Sequence, residues 1–343
     1  MRQAVGVLRR YRALGADLPF ADQRRAHGRG LEGYFWRFSD AGSGQVVVAL
    51  CGVCRDPTGA SWATVAIAGS PGGFHRHADV PVAEADSHRL GVRAGEGGAV
   101  LRADADGVAV ELGGDTRLDV RLSARREWAR PGLGGVGAAH LVPGLGQYWH
   151  PYLFGAEVRG AAVLGGEAVS LDGWTVYAEH TWGAGGFPPR WWWGQSQGFE
   201  RPDVCVAFAG GDVEIGPTSV QASSVVVALG DQVLRLGNPL LAPVHVEADG
   251  STWQVHGRGP LWGVQLEGEA RLENAHRLPV PLPRERRSVP GALEHLSAGV
   301  RLIVRRRGRV VYAGESAVGG LEIGGFGAAV PAGPVGSEPA ARG

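Results

Sequence analysis

Glycine and proline interrupt this chain so often that long helices are ruled out. There are 57 glycines and 21 prolines in 343 residues. In a helix interior each glycine costs about 1 kcal/mol and each proline about 3 kcal/mol relative to alanine. Between the breakers, apolar residues come in short runs, many alternating with period two, as in half-buried strands. From residue 31 onward Glu32, Tyr34, Trp36 and Phe38 fall on one face, with Leu31, Phe35 and Arg37 on the other. Residues 45–51 and 61–68 are continuous apolar runs of strand length. Shorter runs follow at 89–93, 98–104, 107–112 and 117–122, with Asp106-Gly107 and Gly113-Gly114-Asp115 as hairpin signals. The pattern continues to residue 313 without strand–helix alternation. It predicts an all-β fold of barrel or sandwich type.

Charge and cysteine content narrow the partners. The chain has 34 basic and 34 acidic residues, so its net charge is zero. That balance argues against a general nucleic-acid or acidic-membrane binder. Three cysteines make no disulfide framework. The N-terminal residues do not read as a signal peptide, and no apolar run approaches the roughly 20 residues needed to span a bilayer. The expectation is a soluble, cytoplasmic protein without an integral membrane segment, with transient membrane association left open.

Residues 174–199 concentrate the chemistry. They hold five of the eleven tryptophans, together with a carboxylate, an imidazole and two amides. As two strands around a Gly/Pro loop, they put Tyr177 and Glu179 on one face and Val176, Ala178 and His180 on the other. In the second strand Trp191, Trp193, Gln195 and Gln197 share a face. A carboxylate among indoles is either a costly core or a pocket with chemistry in it.

This stretch resembles the tocopherol cyclase-like family. The matching residues are Tyr177, Glu179, Trp182 and Gly183, then Phe187-Pro188, then Trp191, Trp193 and Gln195-Ser196. Leu31-Glu32-Gly33-Tyr34-Phe35 and the ending Gly320-Leu321-Glu322-Ile323-Gly324-Gly325 are further matches. The chain departs from the family at His180 and Thr181, where Lys and Asn or Asp are usual, and at Gln197 in place of Asn.

The resemblance implies two tandem lipocalin-like β-barrels with few short helices, and the turn-rich 238–243 segment is the expected boundary. On that reading residues 1–30 form an N-terminal arm, with a short helix or an ordered arm both open. Residues 31–238 form the first barrel, 239–328 a smaller second one, and 329–343 a disordered tail. Residues 279–290 are expected to be a connection and 289–296 a short helix.

The resemblance also implies a reaction: closing a chromanol-type ring on a prenylated phenol or quinol by protonating an alkene, with no metal or other cofactor. An apolar pocket keeps a carboxyl protonated near neutral pH, and indole faces stabilise a tertiary cation. The expected proton donor is Glu179, with Glu32 as the alternative and Tyr177 assisting. Trp182, Trp191, Trp193, Gln195, Gln197, Tyr34 and Trp36 are the expected substrate contacts. Trp191 and Trp193 should line a cavity in the first barrel with Tyr177. A binding protein for an apolar isoprenoid, without catalysis, is the other reading.

Competing motifs fit less well. Gly194-Gln195-Ser196-Gln197-Gly198 has the spacing of a nucleophile elbow, but Pro202 stops the required helix within a turn. Gly132, Gly134 and Gly137 have dinucleotide-loop spacing without a preceding strand. Cys51 and Cys54 have no second pair for zinc. His75, His77 and His88 read as a solvated loop rather than a metal site.

Overall fold

The computed structural model describes residues 2–128, 132–215 and 218–326. The expected disordered tail at 329–343 lies outside the described residues. A single α-helix, α1 (Arg2–Ala13), leads the described chain, and everything after it is strand and turn apart from short 3-10 turns. Among the described residues, no helix is long and apolar enough to cross a membrane.

The strands in chain order form three antiparallel sheets. The chain first lays down β1 (Leu31–Asp40), β2 (Gln45–Arg55), β3 (Ser61–Ser70) and β4 (Phe74–Val80). It continues through β5 (Ala83–Ala85), β6 (Gly91–Ala94), β7 (Leu101–Asp104), β8 (Gly107–Glu111) and β9 (Arg117–Ser123). Then come β10 (Gln147–Leu153), β11 (Glu157–Leu164), β12 (Glu167–Ser170) and β13 (Thr175–Gly183). The last part holds β14 (Arg190–Ser196), β15 (Val204–Ile215), β16 (Thr218–Leu229), β17 (Gln232–Leu236) and β18 (Val244–Ala248). It ends with β19 (Thr252–Arg258), β20 (Trp262–Glu269), β21 (Ala275–Leu282), β22 (Arg287–Arg306) and β23 (Arg309–Gly325). The first sheet has the order β10-β13-β1-β2-β3-β4 and the second β12-β11-β9-β8-β7-β6-β5. The third runs β17-β16-β15-β14-β23-β22-β20-β19-β18, with β21 paired to β22.

The first two sheets enclose one core. Tyr34, Trp36 and Phe38 of β1 and Val176 and Ala178 of β13 meet Val92, Leu101, Val108, Leu118 and Val120 of the second sheet. The third sheet curls around its own core of Phe208, Val225, Leu236, Trp253, Leu266, Leu302 and Leu321. Its two edge strands approach each other at the Asn238–Ala242 bridge. Among the described residues each sheet keeps an open strand order, so hydrogen bonding closes none into a full barrel. The result is a nearly all-β, barrel-like fold of the expected class.

Two expectations are corrected. The sheets do not divide at 238–243: β14–β17 pair into the same sheet as β18–β23, and the change of sheet falls between Gly183 and Arg190. The Asn238 side chain accepts from the Leu240 and Leu241 N–H groups, so this segment is a turn within one sheet. Residues 289–296 are not a helix but part of β22, whose start pairs with β21. Pro279 and Pro281 fit there because β21 has β22 as its one named partner, the edge position that tolerates a missing N–H.

Candidate active site between the sheets

Alternation gives β1 and β13 two chemically distinct faces. Tyr177 and Glu179 point away from the first core, as do Phe35 and Arg37 of β1. On the third sheet Trp192 points into its own core, whereas Trp191, Trp193 and Gln195 point out toward the first sheet. The outward faces of the two sheets pack together, with Trp149, Phe154 and Tyr177 against Trp193, Cys205, Ala207, Val226 and Ala228.

Glu179 joins the two sheets. Its Oε2 accepts hydrogen bonds from the Tyr177 hydroxyl (2.5 Å), Trp149 Nε1 (2.8 Å) and Trp193 Nε1 (2.9 Å). The first two donors belong to the first sheet and the third to β14 across the interface. Burial pushes the Glu179 carboxyl up from its ordinary value, and these three hydrogen bonds oppose the rise without cancelling it. The Tyr177 hydroxyl is also pushed up, by burial first and by the adjacent carboxylate second.

Strand register sets two rows of side chains opposite each other. Across the first sheet Glu179, Phe35 and Leu50 are successive partners. Across the third, Trp193, Glu322 and Glu294 are successive partners. Phe35, Leu50 and Glu322 sit mid-strand, yet all keep partial solvent access. Trp191 Nε1 donates to Glu322 Oε1. Burial raises the Glu322 carboxyl to about 7, with the Glu179 charge adding to it and the Trp191 bond opposing. Burial, with the Glu322 charge second, raises Glu294 well above the ordinary carboxylate range, and its Oε1 has no hydrogen-bond partner among the described residues. Three carboxyls that repel one another's ionisation thus share one interface.

Arg37 is the buried cation of this interface. It donates to Gln195 Oε1 (3.1 Å) and to the carbonyls of Leu296 (2.7 Å) and Val318 (2.6 Å). Burial lowers its pKa, and Glu294 opposes the shift. Beside it, Gly320, Glu322 and Gly324 of β23 alternate on the facing surface. A Cβ on Gly320 would lie 2.9 Å from Arg37 Nε, and one on Gly324 would lie 1.9 Å from the Trp191 ring. The glycines are gaps filled by these side chains, and they leave Glu322 as the functional group between them.

A second cluster lies on the opposite face of the same strands. Glu32 Oε1 accepts from the N–H groups of His27 (2.8 Å) and Arg29 (2.9 Å), and Oε2 faces His180 Nε2 at 3.0 Å. Burial pushes the Glu32 carboxyl up, but the hydrogen bonds and charges that His180 and His27 supply when protonated outweigh it and hold it well below the usual carboxylate range. Tyr34 stacks on His180 and Trp182 stacks on His27. One ligand atom each from His27, Glu32 and His180 lies within 4.8 Å of the others, a grouping able to hold a metal ion.

The expected site residues therefore divide. Tyr177, Glu179, Trp191, Trp193 and Gln195 come together between the sheets, and Gln197 sits at the border of that region, 3.4 Å from Ser39 Oγ. Glu32, Tyr34, Trp36 and Trp182 lie on the other face, away from Glu179. Trp191 and Trp193 do not line a cavity in the first barrel with Tyr177, because β14 belongs to the third sheet. A polar pocket of about 180 Å³ does occur on the second sheet, but it is lined by residues of β5–β9 and the turn between β5 and β6, and it shares none of these side chains. Sequence reasoning missed Trp149, Arg37, Glu294 and the role of Glu322. The glycine–glutamate–glycine spacing at 320–324 was the available signal for the last.

Comparison with known proteins bears on the fold and the family. The chain shares its fold with kievitone hydratase from Nectria haematococca, at 11% identity and a TM-score of 0.51, over 88% of this chain and 90% of that one. It also matches a Nitrosomonas europaea protein assigned as an AttH, at 12% identity and a TM-score of 0.53, over 91% and 98% of the two chains. No curated protein sequence matches it. A family profile described as tocopherol cyclase-like matches residues 148–325, which is just over half of the chain and includes Trp149, Glu179, Trp193, Glu294 and Glu322. The chain belongs to the tocopherol cyclase-like family.

Proposed function

We propose that this protein protonates a carbon–carbon double bond of a prenylated phenol or quinol and closes a chromanol-type ring, with Glu179 as the acid. The observation that carries the reading is the asymmetric hydrogen bonding of Glu179. Three donors converge on Oε2 and none of them on Oε1, while burial favours the protonated form. The acid proton then resides on Oε1. When it leaves, the negative charge develops on a carboxylate already facing three fixed donors, the arrangement that stabilises a transition state without reorganisation.

The proton adds to the less substituted alkene carbon and leaves a tertiary cation. The indoles of Trp191 and Trp193 and the Phe35 ring border the space where that cation forms; cation–π attraction is worth about 2 kcal/mol or more when desolvated. The phenolic oxygen forms the new C–O bond, and its proton returns to Glu179. The sum is an isomerisation, with no electrons gained or lost. Capture of the same cation by water would give hydration, the chemistry in the name of the fold neighbour kievitone hydratase.

The test is incubation of a prenylated hydroquinone in D2O, with the product analysed by mass spectrometry. The expected result is one deuterium in the new ring with wild-type protein. In Glu179→Gln the rate should fall by about 10²–10⁴, the usual worth of a positioned general acid. Unchanged turnover in Glu179→Gln would remove Glu179 from the role. Tight binding of the hydroquinone with no labelled product from wild type would leave apolar-ligand binding as the function.

A further inference from the structure

On the far face of the first sheet, the His27–Glu32–His180 cluster has a hydrogen-bonding problem that a proton alone does not solve. His180 Nδ1 lies 2.9 Å from the Gln23 carbonyl, so that nitrogen must donate. In the neutral ring Nε2 then carries a lone pair, yet it faces Glu32 Oε2 at 3.0 Å. His27 Nε2 lies 2.7 Å from Asp17 Oδ2, and Arg12 holds the other Asp17 oxygen. His27 therefore donates from Nε2 and has its lone pair on Nδ1. That Nδ1 is buried, has no hydrogen-bond partner among the described residues, and sits 3.8 Å from the same Glu32 oxygen. Three acceptors converge on one point, and a proton shared by His180 and Glu32 would still leave His27 Nδ1 orphaned.

We infer that His27 Nδ1, Glu32 Oε2 and His180 Nε2 form a binding site for a first-row divalent cation. A tetrahedral ion with ligands at about 2.0–2.1 Å places neighbouring ligand atoms about 3.3–3.5 Å apart. Two of the three separations, 3.0 and 3.8 Å, bracket that range, and all three lie within 4.8 Å. The surroundings have the form of a metal shell, in which each ligating histidine donates its other N–H to a carboxylate or a carbonyl. Asp17 and the Gln23 carbonyl do so here. The Glu32 carboxylate is oriented by two backbone N–H groups on its other oxygen. Stacking on Trp182 and Tyr34 fixes the two imidazole planes. Two imidazoles and a carboxylate suit zinc or ferrous iron better than magnesium or calcium. The ion would fasten the segment before β1 to β1 and β13, across the end of the first core, and it stands apart from the Glu179 interface.

Zinc is the probe. Full-length protein stripped with a chelator and titrated with Zn²⁺ should take up one ion per chain, with its melting temperature rising by several degrees. Co²⁺ should give a visible d–d band typical of nitrogen and oxygen ligands. His180→Lys places an ammonium opposite Glu32, supplying the missing positive charge without a metal. It should keep the wild-type circular dichroism and lose both the zinc uptake and the thermal response. His75→Ala/His77→Ala, on exposed β4 positions, should retain both. No thermal shift and no cobalt band in wild type would overturn the site, as would zinc uptake by folded His180→Lys equal to wild type. If His180→Lys does not fold, the wild-type cobalt band and its retention in His75→Ala/His77→Ala decide the matter.

Discussion

The Glu322 carboxyl should make the fold less stable as pH rises from about 4.5 to about 7, and Glu322→Gln should remove that dependence. An ordinary glutamate titrates near 4.5, and Glu322 in the fold is raised to about 7. Below the lower value both the folded and unfolded chains hold the proton. Between the two values the folded chain binds it more tightly, so stability falls as pH increases, at about 1.4 kcal/mol per pH unit. Over the window this amounts to about 3 kcal/mol, and solvent screening at its partly exposed edge reduces the expectation to about 2 kcal/mol. The stabilisation is fully present below about 4.5 and is lost as pH passes about 7. Urea denaturation followed by tryptophan fluorescence at pH 5.0 and 8.0 measures it, because both Trp191 and Trp193 flank the group. The wild-type-minus-variant difference should shift by about 2 kcal/mol against wild type between those pH values. The amide introduced by Glu322→Gln still offers Trp191 an acceptor, so the difference isolates the charge. A pH-independent difference, or one that favours wild type at pH 8.0, would refute the account of Glu322 as an acid held neutral by burial.

Two further outcomes follow from the same interface. Glu179→Ala should destabilise the protein by about 3 kcal/mol or more, because three buried donors lose their acceptor at about 1–3 kcal/mol each. Glu179→Gln, which keeps an acceptor oxygen, should cost about 1 kcal/mol; equal losses in thermal or urea unfolding would show that the carboxylate is not the hub. Gly324→Ala must displace the Trp191 ring and should destabilise by about 1–3 kcal/mol, the usual range for overpacking, with a shift in tryptophan emission as the second readout.

Much of this arrangement was legible in period-two alternation. The separation of Tyr177 and Glu179 from His180, and the common face of Trp191, Trp193 and Gln195, follow from it directly. What alternation does not carry is the identity of the sheet on the other side. The Gly/Pro segment between β13 and β14 has the composition of a hairpin loop, yet the two strands enter different sheets. Only their long-range partners, β1 for one and β23 for the other, decide that. The 238–243 segment looks like a linker for a related reason: a turn rich in proline and a break between units use the same residues. Glu294 was hidden because a proline followed by Gly-Ala-Leu-Glu reads as a helix start. Long pairing with β21 and β23 overrides that local preference.

The two faces of β1 and β13 show how one pair of strands produces opposite carboxyl chemistry. Glu32 and Glu179 are both buried, so desolvation pushes both upward. Their difference lies in what surrounds them. Glu32 meets two histidines and two backbone N–H groups, and these favour the anion strongly enough to overcome burial. Glu179 meets neutral indole and phenol donors on one oxygen, with two further carboxyls nearby that disfavour a second negative charge. A register slip of one residue in β13 would exchange His180 and Glu179 between the faces and destroy both environments at once. The dense cross-strand pairing of β13 with β1 and β10 therefore holds both carboxyl environments in register. It keeps the carboxyl disposed to hold a proton between the sheets and the one disposed to stay charged at the end of the first core.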